Sequence, residues 1–285
     1  YKTLIATLVF IFSSSLAEST VLKYVQNNDK QNYQSALLKL ALEMTSKTDG
    51  PFILKPQSQE MSHARMLLYL EEGTRINISH LAASKDREDR FLSIKIPILR
   101  GLLGYRVLMI NEKNKDNFAS IQSLEQLKTK FVAGFGTHWA DMSILNDNNI
   151  PVIGSTNYNT LFTMLSRNRF DYFPRGVNEG WRELDAREAS HPNLIIDKNI
   201  ALYYPYPVYF YVNKKNIALA DRIERGLNIA LKNGKFKKLF FKYHKNSIDK
   251  LKLNTRKLFT LKNSFLPDDT PIVDTSWWLG NFPEN

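Results

Sequence analysis

Short apolar runs of strand length alternate with stretches of helical periodicity along most of this chain, and that alternation constrains the fold more than any other feature. Val21-Leu22-Lys23-Tyr24-Val25 reads as a strand, and from Tyr33 to Met44 the residues Ala36, Leu37, Leu40, Ala41 and Met44 fall at helical spacing. Phe52-Ile53-Leu54 is a second strand, His63 to Leu70 a second helix closed by Gly73, and Ile76-Asn77-Ile78 a third strand. Such an order implies a largely parallel sheet covered by helices.

The charged stretch from Lys85 to Arg90 interrupts this series, after which Leu92 to Leu99 and Tyr105 to Ile110 are extended. The polar segment Asn111 to Asn117 reads as a crossover into a second series. It comprises Phe131 to Gly136, a helix from Thr137 to Leu145, Pro151 to Ile153, a helix from Tyr158 to Ser166, and Phe170 to Phe173. A helix around Asn178 to Glu188, extended runs at Leu194 to Ile196 and Tyr203 to Val212, and one long helical pattern from Ala218 to about Tyr243 precede an irregular tail. The expectation is an α/β protein of two lobes joined by two crossover strands: lobe one from 18–111 with 206–253, lobe two from 112–205, and a tail, 254–285, packed on the lobes through Trp277-Trp278. In such a molecule the ligand sits in the cleft between the lobes, beyond the carboxyl ends of the strands.

The compartment is read from the first residues. Lys2 precedes an apolar run from Thr3 to Phe12, and Ser15 and Ala17 form a small-x-small cleavage site, the pattern of a signal peptide covering 1–17. A membrane anchor or a buried first strand is the alternative, but the run is short of the roughly 20 residues a spanning helix needs. The chain has no cysteine, which excludes a disulfide framework, a thiolate nucleophile, a zinc-thiolate site and a lipid-modified cysteine. An exported protein free in a periplasm, without a lipid anchor, is expected.

With 39 Lys and Arg against 28 Asp and Glu the formal charge is +11, and between Lys232 and Lys257 there are ten basic residues and one acid, Asp249. Phe236, Leu239, Phe240 and Tyr243 recur there at helical spacing, so the plain reading is a buried stripe with a solvated basic face. Contact with anionic lipid headgroups or an acidic partner is the other reading. Export and this local concentration argue against a nucleic-acid partner. The histidines His63, His80, His138, His191 and His244 form no i,i+4 pair, Gly134-Phe135-Gly136 lacks a third glycine and a Walker lysine, and no Gly-x-Ser-x-Gly occurs. Neither a metal, nor a cofactor, nor a catalytic residue is expected.

Several segments together carry a family resemblance: Arg87 ahead of Ile96-Pro97-Ile98, Ser123 to Lys128 leading to Phe131 to Thr137, Arg169-Phe170-Asp171-Tyr172, and Ile223 to Ala230 with Asn233-Gly234-Lys235-Phe236. In order and spacing, roughly from 20 to 245, the chain resembles the bacterial solute-binding proteins of family 3. The resemblance implies the type II periplasmic binding fold and a monomer that closes on a small, carboxylate-bearing ligand. Delivery would be to an ABC-type permease or, alternatively, to a membrane sensor. Enzymes, including dehydratases, also use this fold, but the resemblance implies binding without turnover.

The resemblance assigns the ligand carboxylate to Arg87, with Arg90 as the rival; a guanidinium offers two parallel donors to a planar carboxylate. Equally, both arginines can pair with Asp86, Glu88 and Asp89 on a solvated loop. In lobe two, Gly136-Thr137-His138-Trp139 stands where a strand ends and a helix begins, so Thr137, the free N–H groups and the helix dipole suit an anion, and Trp139 suits a planar group. The alternatives are an ordinary N-cap and a core tryptophan. Amino-acid binders of the family carry an acid just after the strand matching Phe170 to Phe173, whereas here Arg175 is nearest. Arg175 suits a second acidic group on the ligand unless Glu179 substitutes for the missing acid or simply pairs with Arg175. Of the run Tyr203 to Tyr211, alternation puts Tyr209 and Tyr211 on one side and Phe210 on the other, and a tyrosine among 203–206 is expected at the ligand.

Overall fold

The structure, a computed structural model, describes residues 19–25, 33–57, 62–139 and 141–270; the expected signal segment and Trp277-Trp278 lie outside the described residues. The first series forms as β1 (Thr20–Val25), α1 (Tyr33–Asp49), β2 (Phe52–Gln57), α2 (His63–Glu72), β3 (Ile78–Ala82), α3 (Lys85–Arg90) and β4 (Phe91–Ile94). Local signals set the ends: the Ser62 hydroxyl accepts from Arg65 N at the start of α2, and Gly73, at φ +69, closes it. β1 and β2 pair in parallel. Asn77 ties β1 towards β3, accepting from Lys23 N (2.8 Å) and donating to Val21 O (2.8 Å).

The second series runs β5 (Tyr105–Asn111), α4 (Lys115–Ala119), α5 (Leu124–Lys130), β6 (Ala133–Gly136), α6 (Met142–Asp147), β7 (Val152–Ser155), α7 (Tyr158–Ser166), β8 (Tyr172–Gly176), α8 (Gly180–Asp185) and β9 (Leu194–Tyr203). The chain returns as β10 (Val208–Asn213), α9 (Ile217–Lys232), α10 (Lys235–Leu251) and β11 (Lys257–Thr260). β10 lies between β3 and β4, antiparallel to both, and the larger sheet has the order β11-β9-β5-β8-β6-β7. Two lobes result, one around each sheet system, with β10, α9 and α10 returning to the first.

Three expectations change. Tyr105 to Ile110 belongs to the second lobe's sheet: every residue of β5 is buried, and such a strand needs partners on both edges, here β8 and β9. The first crossover is therefore the segment 95–104, while the polar stretch after Asn111 is helical from Glu112. The long helix expected from Ala218 is two helices, because Gly234 adopts φ +76 between α9 and α10. The helix expected from Thr137 begins only at Met142.

The two crossovers touch. Tyr204 N donates to Gly104 O (3.2 Å), and a Cβ on Gly104 would stand 2.1 Å from Tyr204 O. Gly104→Ala therefore wedges backbone from backbone, with an expected loss of about 1–3 kcal/mol, read as a lower urea midpoint. The tail adds a further link. β11 runs parallel to β9, Asn263 Nδ2 donates to Pro205 O in the second crossover (2.9 Å), and Leu266 is buried beside β10 with Met66, Leu70 and Tyr209. Lys85 then meets Asp268 at 3.3 Å, and Lys95 pairs with Asp269.

Strand alternation places Tyr209 and Tyr211 in the cluster under α2, and Phe210 in the main core. On α10, His244 is buried against the rings of Tyr33 (4.6 Å) and Phe240 (4.9 Å), and burial pushes it down to about 4. The unfolded chain thus binds the proton more readily than the folded one between roughly pH 4 and 6.5, and stability falls as pH drops through that window, by about 2 kcal/mol at pH 5. His244→Phe should remove this part of the pH dependence, measured by urea unfolding at pH 7 and pH 5.

Candidate functional site

From lobe one the site is built on α3, whose start is set by the Ser84 hydroxyl accepting from Arg87 N. Arg87 is half-buried and donates from Nη1 to Ala82 O. Among the described residues no carboxylate pairs with it: Asp86 reaches Arg90, and Glu88 accepts from Tyr211 Oη (2.9 Å) and Ser93 Oγ. Arg90 departs from the expected role. It bonds Glu71 on α2 (2.9 Å) and lies over the Phe91 ring, spending its donors within lobe one.

In lobe two the strand end of β6 does not feed a helix. Thr137 N donates to Ser155 O (3.0 Å) and Trp139 N to Gly136 O (3.1 Å), so the segment is a tight turn with those N–H groups already used. The anion site expected at Gly136-Thr137-His138 therefore does not form: Thr137 and His138 stand exposed, and the Thr137 hydroxyl leans towards Gly154 of β7. Glycine is required at 136 because Trp139 folds back over it; a Cβ there would be 2.3 Å from the indole. The ring stacks on Phe173 (5.9 Å, 16°), meets Phe135 edge-on (4.9 Å, 83°) and has the Arg175 guanidinium 4.8 Å from its centroid. Trp139 is half-buried, a wall of the site more than a free platform.

Arg175 is likewise not an available cation. Buried at 6% exposure on β8, it donates from Nε and Nη2 to the two oxygens of Glu183 (2.6 Å each) and pairs with Glu179 at 3.0 Å. Burial pushes Glu183 up, but the Arg175 hydrogen bonds and charge more than offset this and hold its carboxyl below the ordinary range. Two carboxylates thus answer one guanidinium, which removes the basis for a second acidic group on the ligand. Glu179 does reach the place the missing acid would occupy. A Cβ on Gly176, the last residue of β8, would be 3.0 Å from Glu179 Oε2 and 3.0 Å from Asn178 Oδ1, and that Asn178 oxygen is buried without a partner.

The sequence reading passed over Arg106. It is buried on β5, donates from Nη2 to Asp141 Oδ2 (2.7 Å), and lies over the rings of Tyr204 (5.1 Å) and Tyr206 (5.8 Å), with Nε unpartnered. Tyr204 Oη donates to the same Asp141 oxygen (2.7 Å). The available signal was a single cation inside the otherwise apolar run Tyr105 to Ile110. Tyr206 joins the two lobes electrostatically: burial pushes its hydroxyl up to about 12, Asp141 and Glu179 add to this, and Arg106 and Arg87 oppose it. The cleft thus gathers Arg87, Trp139, Arg175 and Glu179 with Arg106, Asp141, Tyr204 and Tyr206, and leaves out Arg90, Thr137 and His138. No group of three His, Asp or Glu side chains among the described residues could hold a metal ion, and no described helix is long and apolar enough to cross a membrane.

Solved structures share this architecture. The probable amino-acid ABC transporter extracellular-binding protein YtmK from Bacillus subtilis superposes with a TM-score of 0.57 at 18% identity, over 80% of this chain and 97% of its own. YckB from Bacillus subtilis gives 0.53 at 17% identity, over 85% and 96%. The fold is that of the type II periplasmic binding proteins. A histidine kinase sensor domain with similarity to periplasmic binding proteins shares it as well, with a TM-score of 0.53 at 13% identity over 80% and 96%. No protein-family model and no curated protein matches the sequence. In a type II fold the two crossovers are the natural flexing points, and here Tyr204 and Tyr206 of the second crossover are also part of the cleft wall.

Proposed function

We propose that this chain is an exported solute-binding protein whose lobes close on a small zwitterion carrying a carboxylate and an ammonium group, for delivery to an ABC-type importer. The observation that carries the reading is the pairing of opposites across the cleft: Arg87 without a carboxylate partner among the described residues, and the acceptors Glu179 and Asn178 beside Gly176. Arg87 grips the carboxylate with parallel N–H donors, and Glu179 accepts from the ammonium. The charges support a neutral ligand, since Arg87, Arg106 and Arg175 are balanced by Asp141, Glu179 and Glu183. A dianion or a polyamine would upset that balance. A ligand that touches both lobes favours the closed state by its additional contacts, which is how binding becomes a signal to the partner.

A periplasmic sensor that shows its closed form to a membrane signalling protein is the second reading, favoured by the likeness to a histidine kinase sensor domain. Both readings predict the same binding chemistry. A thermal-shift screen over amino acids, dicarboxylates and polyamines, followed by calorimetry, should find stabilisation by neutral α-amino acids and none by their esters or N-acetyl derivatives. Stabilisation by polyamines alone, or by dicarboxylates alone, would overturn the zwitterion reading.

A further inference from the structure

We propose that the lysine face of α10 is a docking surface for an anionic lipid bilayer. The helix has two opposed sides. Phe236, Phe240, His244, Ile248 and Leu251 are buried in lobe one, whereas Lys235, Lys238, Lys242 and Lys245, spaced three, four and three residues apart, are exposed on the opposite side. At 1.5 Å per residue this stripe is about 15 Å long. Lys232, Lys237, Lys250 and Lys252 are exposed around it. Asp249 is the one acid of the segment, and it is already paired with Lys245 at 2.8 Å. Among the described residues no carboxylate pairs with Lys235, Lys238 or Lys242, so the folded protein leaves this field unneutralised on one face.

The chemistry of the face selects the occupant. A protein interface centres on apolar or aromatic anchors and is depleted in lysine. None of the exposed large hydrophobic residues lies on α10. Lysine is a hydrated point charge on a flexible stem, lacking the bidentate fork that fixes a specific acidic partner. Nucleic-acid grooves add rings on which bases stack, but Phe236 and Phe240 are buried and Phe241 and Tyr243 are half-buried against the core. A straight row of lysines without anchors suits a diffuse plane of negative headgroups, approached without insertion. The contact is electrostatic and is weakened by salt.

The test is co-sedimentation of the full chain with phosphatidylcholine vesicles, with and without phosphatidylglycerol, at low and physiological salt. Binding should require phosphatidylglycerol and fall as salt rises. Each surface lysine contributes about fivefold in partitioning, so the triple variant Lys235→Gln, Lys238→Gln, Lys242→Gln should bind about a hundredfold more weakly. Its melting temperature should match the parent because these side chains are exposed and unpaired. A control removing the same charge from exposed positions in lobe two, Lys113→Gln, Lys115→Gln, Lys130→Gln, should keep most of the binding. Equal loss in both triples would reduce the effect to net charge and overturn the proposal. So would binding independent of phosphatidylglycerol, or duplex DNA bound in preference to vesicles.

Discussion

Replacing Arg87 by alanine should weaken binding of the stabilising zwitterion by roughly 2–5 kcal/mol, from about thirtyfold to several thousandfold, while leaving the free protein's melting temperature nearly unchanged. The large effect on binding follows from desolvation: a carboxylate enclosed by closing lobes and left without its cation retains the cost of dehydration with little in return. The small effect on stability follows from Arg87's surroundings, where the guanidinium is half-buried and its described hydrogen bond is to Ala82 O, on its own lobe. Arg87→Lys keeps the charge but loses the planar fork, so it should recover only part of the affinity. Arg90→Ala separates the two arginines: its partner is Glu71, at the surface, so binding should be unaffected. Calorimetry on the three variants decides the assignment, and full affinity in Arg87→Ala would remove it.

What the sequence could and could not reveal follows from the range over which each interaction acts. Strands and helices whose apolar residues repeat locally, such as α1 and β10, are legible because burial of one face imposes the period directly. Arg87 was legible for a related reason, since a short charged helix between two strands carries its own punctuation at Ser84. Other features depend on partners distant in sequence. Nothing near Arg106 announces that Asp141 and Tyr204 will neutralise and enclose it, and nothing near Arg175 distinguishes a ligand-facing cation from one held by Glu183. The turn at Gly136 was misread as a helix start because Thr137 resembles an N-cap; the deciding contact is Trp139 folding back over the glycine, a packing event no local pattern encodes. Likewise the long helix was divided by one glycine at positive φ between two good helical patterns.

Asp141→Ala should be among the most destabilising single changes in the cleft, costing about 3–5 kcal/mol in urea unfolding. Asp141 flanks α6, yet its side chain does not cap that helix; it turns inward to accept from Arg106 Nη2 and Tyr204 Oη. Truncation leaves a guanidinium at 3% exposure with no counter-ion on that nitrogen, beside an Nε that already lacks a partner. The double variant Arg106→Met, Asp141→Leu removes both charges together and should recover most of the loss, because two apolar side chains avoid the desolvation that the lone arginine suffers. If the single and double variants were equally unstable, packing and not charge would account for the effect. Tyr204 sits in the second crossover and touches Gly104 of the first, so releasing its hydroxyl from Asp141 also frees the hinge. Asp141→Asn, which keeps an acceptor but no charge, should therefore lose less stability than Asp141→Ala, and it offers the gentler way to ask whether hinge rigidity contributes to ligand affinity.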